Sequence, residues 1–136
     1  MSPTAQILHA SLHAIVEKHP QITPRFYEIL WSRYPQVRPL FFRSAPEVQA
    51  KMLQDTIVAA VDHADDAAWL STNLRHMGRQ HVEYGVTDEM YSWVGECLLA
   101  TLEELAGPAW TPEVAATWAA TYGALAGLMI EGAREA

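Results

Sequence analysis

Apolar residues recur at helical spacing along nearly the whole chain, and the stripes are bounded by residues that start or stop helices. Leu8, Leu12, Ile15 and Val16 fall at i, i+4, i+7 and i+8, which predicts a first helix from about Thr4 to Lys18, ended by Pro20. Thr23 followed by Pro24 reads as an N-cap with proline at the first helical position. The helix it opens would bury Phe26, Tyr27, Leu30 and Trp31. Pro35 and Pro39 confine the next stretch to short helical turns ending in Leu40, Phe41 and Phe42.

Ser44 and Glu47 have the spacing of a capping box, so a long helix should begin there and run to about Val61, with Gln49, Leu53, Ile57 and Ala60 along one side. Beyond the acidic break from Asp62 to Asp66, Leu70, Leu74, Met77 and His81 form another stripe, which Gly85 terminates. Thr87 caps a helix carrying Tyr91, Val94, Leu98 and Leu102, and Gly107-Pro108 ends it. Thr111-Pro112-Glu113 opens the last helix, with Trp118, Tyr122, Leu125 and Met129 inward. No alternating run bounded by turn residues suggests a strand. The expectation is an all-α chain of about seven helices with short connections.

With 136 residues, half of them apolar, the chain suits one domain spanning 1–136 around one core. No apolar run approaches the roughly 18 residues of a membrane span, and the first residues lack the pattern of a secretory leader, so a cytoplasmic protein is expected. The net charge of −7, with nine basic residues spread along the chain, argues against nucleic acid or an anionic membrane as partner. Five Trp and five Tyr imply either a large aromatic core or an interior that wraps a flat apolar guest.

His81 is the most informative polar position, because it continues an apolar stripe and should face inward. A buried neutral imidazole is either a hydrogen-bonded core residue or a metal ligand, and periodicity leaves both open. Sites made only of side chains find little support. One cysteine, Cys97, cannot build structural zinc, and it sits on an apolar helix face where it behaves as a small hydrophobe. Paired Glu-x-x-His motifs for a di-iron bundle, a Gly-x-Ser-x-Gly elbow and a phosphate-binding glycine loop are all missing. His9 and His13 share one helix face but have no evident inward carboxylate, and they read as surface residues. What remains is an inward histidine in an aromatic interior, the pattern of a bound prosthetic group that brings its own chemistry.

The stretch Leu74-Arg75-His76-Met77-Gly78-Arg79-Gln80-His81-Val82-Glu83-Tyr84-Gly85-Val86, followed by Tyr91-Ser92-Trp93-Val94-Gly95-Glu96-Cys97-Leu98-Leu99, closely resembles the proximal region of globins. It is most similar to bacterial single-domain globins and the globin part of flavohaemoglobins, with a likeness to neuroglobin. Phe26 to Trp31, Tyr34 to Phe41, Trp110-Thr111-Pro112, Trp118 and Tyr122-Gly123 extend the likeness over almost the whole chain, in the family's order.

The resemblance implies the globin fold, a three-on-three sandwich of helices around haem b (iron protoporphyrin IX), with His81 as the iron ligand. It sets Phe41 on the haem face and Leu53, Met77, Val86, Tyr91 and Val94 around the cofactor. The distal pocket would consist of Tyr27, Phe41, Gln49 and Leu53, with the first and third as hydrogen-bond donors that favour polar dioxygen over carbon monoxide. On the proximal side Tyr91 matches the tyrosine of a histidine–tyrosine–glutamate network. The glutamate's expected position is Ala133, and Glu131 and Glu135 are each two residues, about 200°, away round the helix. Strong electron donation through His81 is therefore not expected.

The implied function is reversible binding of dioxygen and other diatomic gases, nitric oxide and carbon monoxide included. Nitric oxide dioxygenation is a further option. At this length flavin and nicotinamide domains are not expected, so electrons would come from a separate reductase. Two alternatives stand beside it: a gas sensor that signals its ligand state to a partner, and a haem-free helical interaction domain with His81 in its core. Oligomeric state is left open.

Overall fold

The computed structural model describes residues 1–41 and 45–135. Among them are six α-helices and no strand: α1 (Pro3–Lys18), α2 (Thr23–Arg33), α3 (Pro46–Asp62), α4 (Ala67–Glu83), α5 (Asp88–Ala106) and α6 (Pro112–Arg134). A 3-10 helix over Pro35–Phe41 turns the corner between α2 and α3, and a shorter one over Gly107–Ala109 links α5 to α6. With the corner segment counted, this is the seven-helix pattern read from the sequence.

The start and stop residues act largely as expected. Asp66 accepts a bond from the Trp69 amide at the start of α4, and Thr111 accepts one from Val114 at the start of α6. Gly85 and Gly107, at φ 89° and 58°, make the turns that end α4 and α5. Two caps differ. Thr23 is not the N-cap of α2: it lies buried in the first turn, while Ile22 occupies the cap position and makes no side-chain cap bond. Fixed φ at Pro24 and burial of Ile22 and Thr23 start this helix instead. The proposed Ser44 capping box lies outside the described residues; α3 begins after Ala45, whose side chain makes no cap bond.

The helices form two layers, α1, α3 and α4 against α2, α5 and α6. The core joins Leu8, Leu12 and Ile15 of α1 to Phe26 and Leu30 of α2, Ile57 and Val61 of α3, Leu98 and Leu102 of α5 and Trp118 of α6. Each such fully buried large side chain contributes about 1.5–3 kcal/mol. Cys97 is fully buried among them, as its apolar face predicts. The Trp118 indole donates to Ser11 Oγ at 2.8 Å, so the tryptophan is buried with its polar atom satisfied.

Two polar clamps set the position of α3. Gln54 accepts a bond from the Ile22 amide and donates one to the Pro20 carbonyl, fixing α3 against the α1–α2 turn. The Ser2 amide and hydroxyl both bond Asp65, which ties the start of α1 to the turn between α3 and α4. By contrast α4 contributes little to the shared core and rests mainly on α6. Side by side in one layer, α3 and α4 scarcely meet, and the gap between these two helices is termed the slot.

Candidate functional site

One flank of the slot is the last turn of α4. His81 sits there half-buried, with Nδ1 2.7 Å from the Met77 carbonyl oxygen. A carbonyl can only accept, so Nδ1 carries the proton and Nε2 keeps its lone pair. Burial lowers the imidazole pKa, and the Met77 carbonyl partly offsets this, so the ring is neutral at pH 7. The turn at Gly85 returns the chain so that the Val86 amide donates to the His81 carbonyl at 3.0 Å. Tyr84 and Tyr91 flank the ring, with centroids 5.7 and 6.5 Å away. Met77, Val86 and Val94 are each half-buried nearby in the same segments.

The other flank is built by α2, the corner helix and α3. Tyr27 is stacked on Trp31 and meets Phe41 edge-on, with centroids 5.3 and 5.6 Å away. Its hydroxyl is buried and has no hydrogen-bond partner among the described residues. Desolvation pushes the phenol up to about 12; Gln49 draws it partly back but is not in bonding geometry. Gln49 and Leu53, one turn apart on α3, are half-buried. The two flanks approach each other at one end, where a Cβ placed on Gly85 would stand 3.8 Å from Leu40 of the corner helix.

A network through Tyr91 does not form at His81, whose Nδ1 is held by Met77 instead. The Tyr91 carbonyl accepts a 2.6 Å bond from the Tyr122 hydroxyl. Glu131 and Glu135 point elsewhere and pair with Arg75 and Arg79 on the exterior. His9 and His13 also face carboxylates on the outside, Asp62 and Glu17. No group of three His, Cys, Asp or Glu suited to a metal exists among the described residues. A metal beside His81 would thus need most of its ligands from the group that carries it.

The profile of the globin family matches residues 9–129. The chain belongs to the globin family. An uncharacterised globin-like protein of Aquifex aeolicus is 34% identical over 127 residues, covering 93% of this globin and 89% of the relative. A flavohemoprotein of Bordetella pertussis is 32% identical over 133 residues; the globin spans 96% of its own length there but only 33% of the relative's. Among solved structures, an engineered carbene transferase made from a candidate nitric oxide dioxygenase of Rhodothermus marinus superposes with a TM-score of 0.85 at 29% identity. That match covers 99% of this globin and 94% of the other chain. A bacterial globin from Campylobacter jejuni, 24% identical, shares the fold with a TM-score of 0.83, covering 99% and 97% of the two chains. The three-on-three arrangement of helices is therefore the globin fold.

Some residues at the slot were not singled out from sequence. Trp31 reads there as an inward residue only, yet it covers the face of Tyr27; its position four residues on along α2 was the available signal. Gly78 and Gly132 mark where α4 and α6 touch backbone to backbone, and neither lies in a turn that would draw attention to it. Among the described residues no helix is long and apolar enough to cross a membrane.

Proposed function

We propose that this globin holds haem b in the slot between α3 and α4, with His81 Nε2 on the iron, and reversibly binds dioxygen and other diatomic gases. The observation that carries the reading is the bond from His81 Nδ1 to the Met77 carbonyl, which leaves one unprotonated imidazole nitrogen free to bind a metal. The fit extends to the opposite flank, where the Tyr27 hydroxyl is buried without a partner and costs stability unless something in the slot accepts its hydrogen bond. Haem, once bound, would supply the ferrous iron at which gases are taken up.

The chain's own groups define what surrounds the gas. Met77, Val86, Tyr91 and Val94 would line the cofactor on the His81 side, and Phe41 and Leu53 would exclude water on the other. Tyr27 and Gln49 would donate to a polar gas ligand, which retains dioxygen more than carbon monoxide. Uncharged donors in a dry pocket need little reorganisation to do so. Conversion of nitric oxide to nitrate consumes one dioxygen and one electron per nitric oxide, and needs no acid or base from the protein. The Rhodothermus and flavohemoprotein likenesses support this activity, with the electron supplied by a separate reductase.

The experiment is a visible spectrum of the purified chain, reduced and then exposed to carbon monoxide. A shifted, reversible Soret band is expected, and a colourless protein would favour the haem-free interaction domain. Nitric oxide added to the oxygenated protein with a flavin reductase should give nitrate over many turnovers. A single stoichiometric burst would leave gas carriage as the activity.

A further inference from the structure

We infer that Trp31 is a positioning residue that aims the Tyr27 hydroxyl into the slot, and so sets how far the protein prefers dioxygen to carbon monoxide. This rests on the gas-binding reading above.

Four aromatic rings meet here, and only one lies flat on Tyr27. The Trp31 ring is within 13° of parallel to it, whereas Phe41 and Phe26 approach at 75° and 57°. Trp31 follows Tyr27 by four residues on α2, the spacing at which helix side chains lie over one another. Trp31 is itself held in place: Phe41 meets it edge-on at 5.3 Å, and the Arg38 guanidinium stands 5.8 Å from its ring centre. Tyr27 is thus clamped on its face by Trp31 and at its edge by Phe41.

The clamp matters because of where the polar atom is. The hydroxyl is at the far end of the ring, buried and without a partner, so no hydrogen bond within the described residues fixes it. Packing against Trp31 and Phe41 is the main constraint on its direction. A small swing of the ring displaces the oxygen much more than the ring base, and hydrogen bonds weaken steeply below about 120°. Replacing Trp31 by a smaller side chain frees that swing without touching either donor.

The test compares Trp31→Phe and Trp31→Leu with the parent holoprotein, alone and combined with Tyr27→Phe. Trp31→Leu should release dioxygen about tenfold faster, the equivalent of one hydrogen bond, with carbon monoxide release changed less than about twofold. Trp31→Phe should fall between. In the Tyr27→Phe background neither change should add anything further. Equal acceleration of both gases, or additive effects with Tyr27→Phe, would overturn the assignment. A second measurement needs no haem: ultraviolet titration of the haem-free protein, read as the difference from Tyr27→Phe. The Tyr27 phenol should move from about 12 down toward the ordinary value of 10 in Trp31→Leu. Loss of stability with an unmoved titration and unchanged gas discrimination would mean that Trp31 is only core. Failure of every variant and the parent to take up haem would reject the gas-binding reading, while the titration would still decide the hold of Trp31 on Tyr27.

Discussion

Gly78 of α4 rests directly against the backbone of Met129 in α6, so closely that a methyl group on Gly78 would drive into the Met129 carbonyl. Gly132 repeats the arrangement against the backbone of Arg75. Since backbone on two helices cannot yield as a side-chain tip can, either glycine changed to alanine must push α4 away from α6. Gly78→Ala and Gly132→Ala should each cost about 2–4 kcal/mol in chemical denaturation. Gly123 meets nothing within 4 Å, and Gly123→Ala should be neutral or gain about 0.5–1 kcal/mol from helix propensity. Equal losses at all three sites would show that the crossing is not the reason.

His81 makes the protein sensitive to acid in a defined direction. Burial depresses its folded pKa below the unfolded value of 6.5. Stability is therefore fully present above 6.5 and is lost as pH falls through the depressed folded value, where the buried ring must charge. Protonation at Nε2 also removes the lone pair proposed to hold haem. Soret absorbance followed from about pH 8 downward should hold through 6.5 and fall only in more acidic solution, as pH passes below the depressed folded value. In the haem-free protein, His81→Leu should flatten the pH dependence of stability over the same range.

Tyr27→Phe should change stability and gas retention in opposite directions. Without haem the substitution removes a buried hydroxyl that lacks a partner, and it should stabilise the fold by about 1 kcal/mol. With haem and gas bound, dioxygen release should quicken about tenfold. Gln49→Ala should also quicken release. A Tyr27→Phe protein that is less stable without haem would mean the hydroxyl has a partner after all.

The exterior carboxylates should be irrelevant to the iron. Glu131 and Glu135 are committed to Arg75 and Arg79 and are half-exposed, so Glu131→Gln and Glu135→Gln should cost no more than about 1 kcal/mol each. The iron–histidine stretching frequency should be the same as in the parent. A shift in either variant would restore the proximal network that the geometry does not form.

The helices were legible because each layer carries a clean 3.6-residue stripe, from Leu8–Leu12–Ile15 in α1 to Trp118–Tyr122 in α6. The inward setting of His81 was legible for the same reason. The start of α2 was misread at Thr23 because a threonine before proline is a good cap locally, and burial of Ile22 and Thr23 overrides it. The acceptor for His81 Nδ1 was not legible, since a backbone carbonyl carries no residue signature. Nor was the closeness of α4 to α6: glycine inside a helix looks like a weakness until the neighbouring backbone is seen. The ion pairs of Glu131 and Glu135 bear out the angular count that turned both away from the slot.

Cys97 has a practical consequence. It is the chain's sole thiol, it is sealed in the core, and burial raises its pKa so that little thiolate forms. A cysteine placed at an exposed position such as Val58 or Val82 would then be the one group that a maleimide dye reaches in the folded protein. Dyes at those two positions, one on α3 and one on α4, would report the separation of the two helices by energy transfer, with no background labelling to subtract.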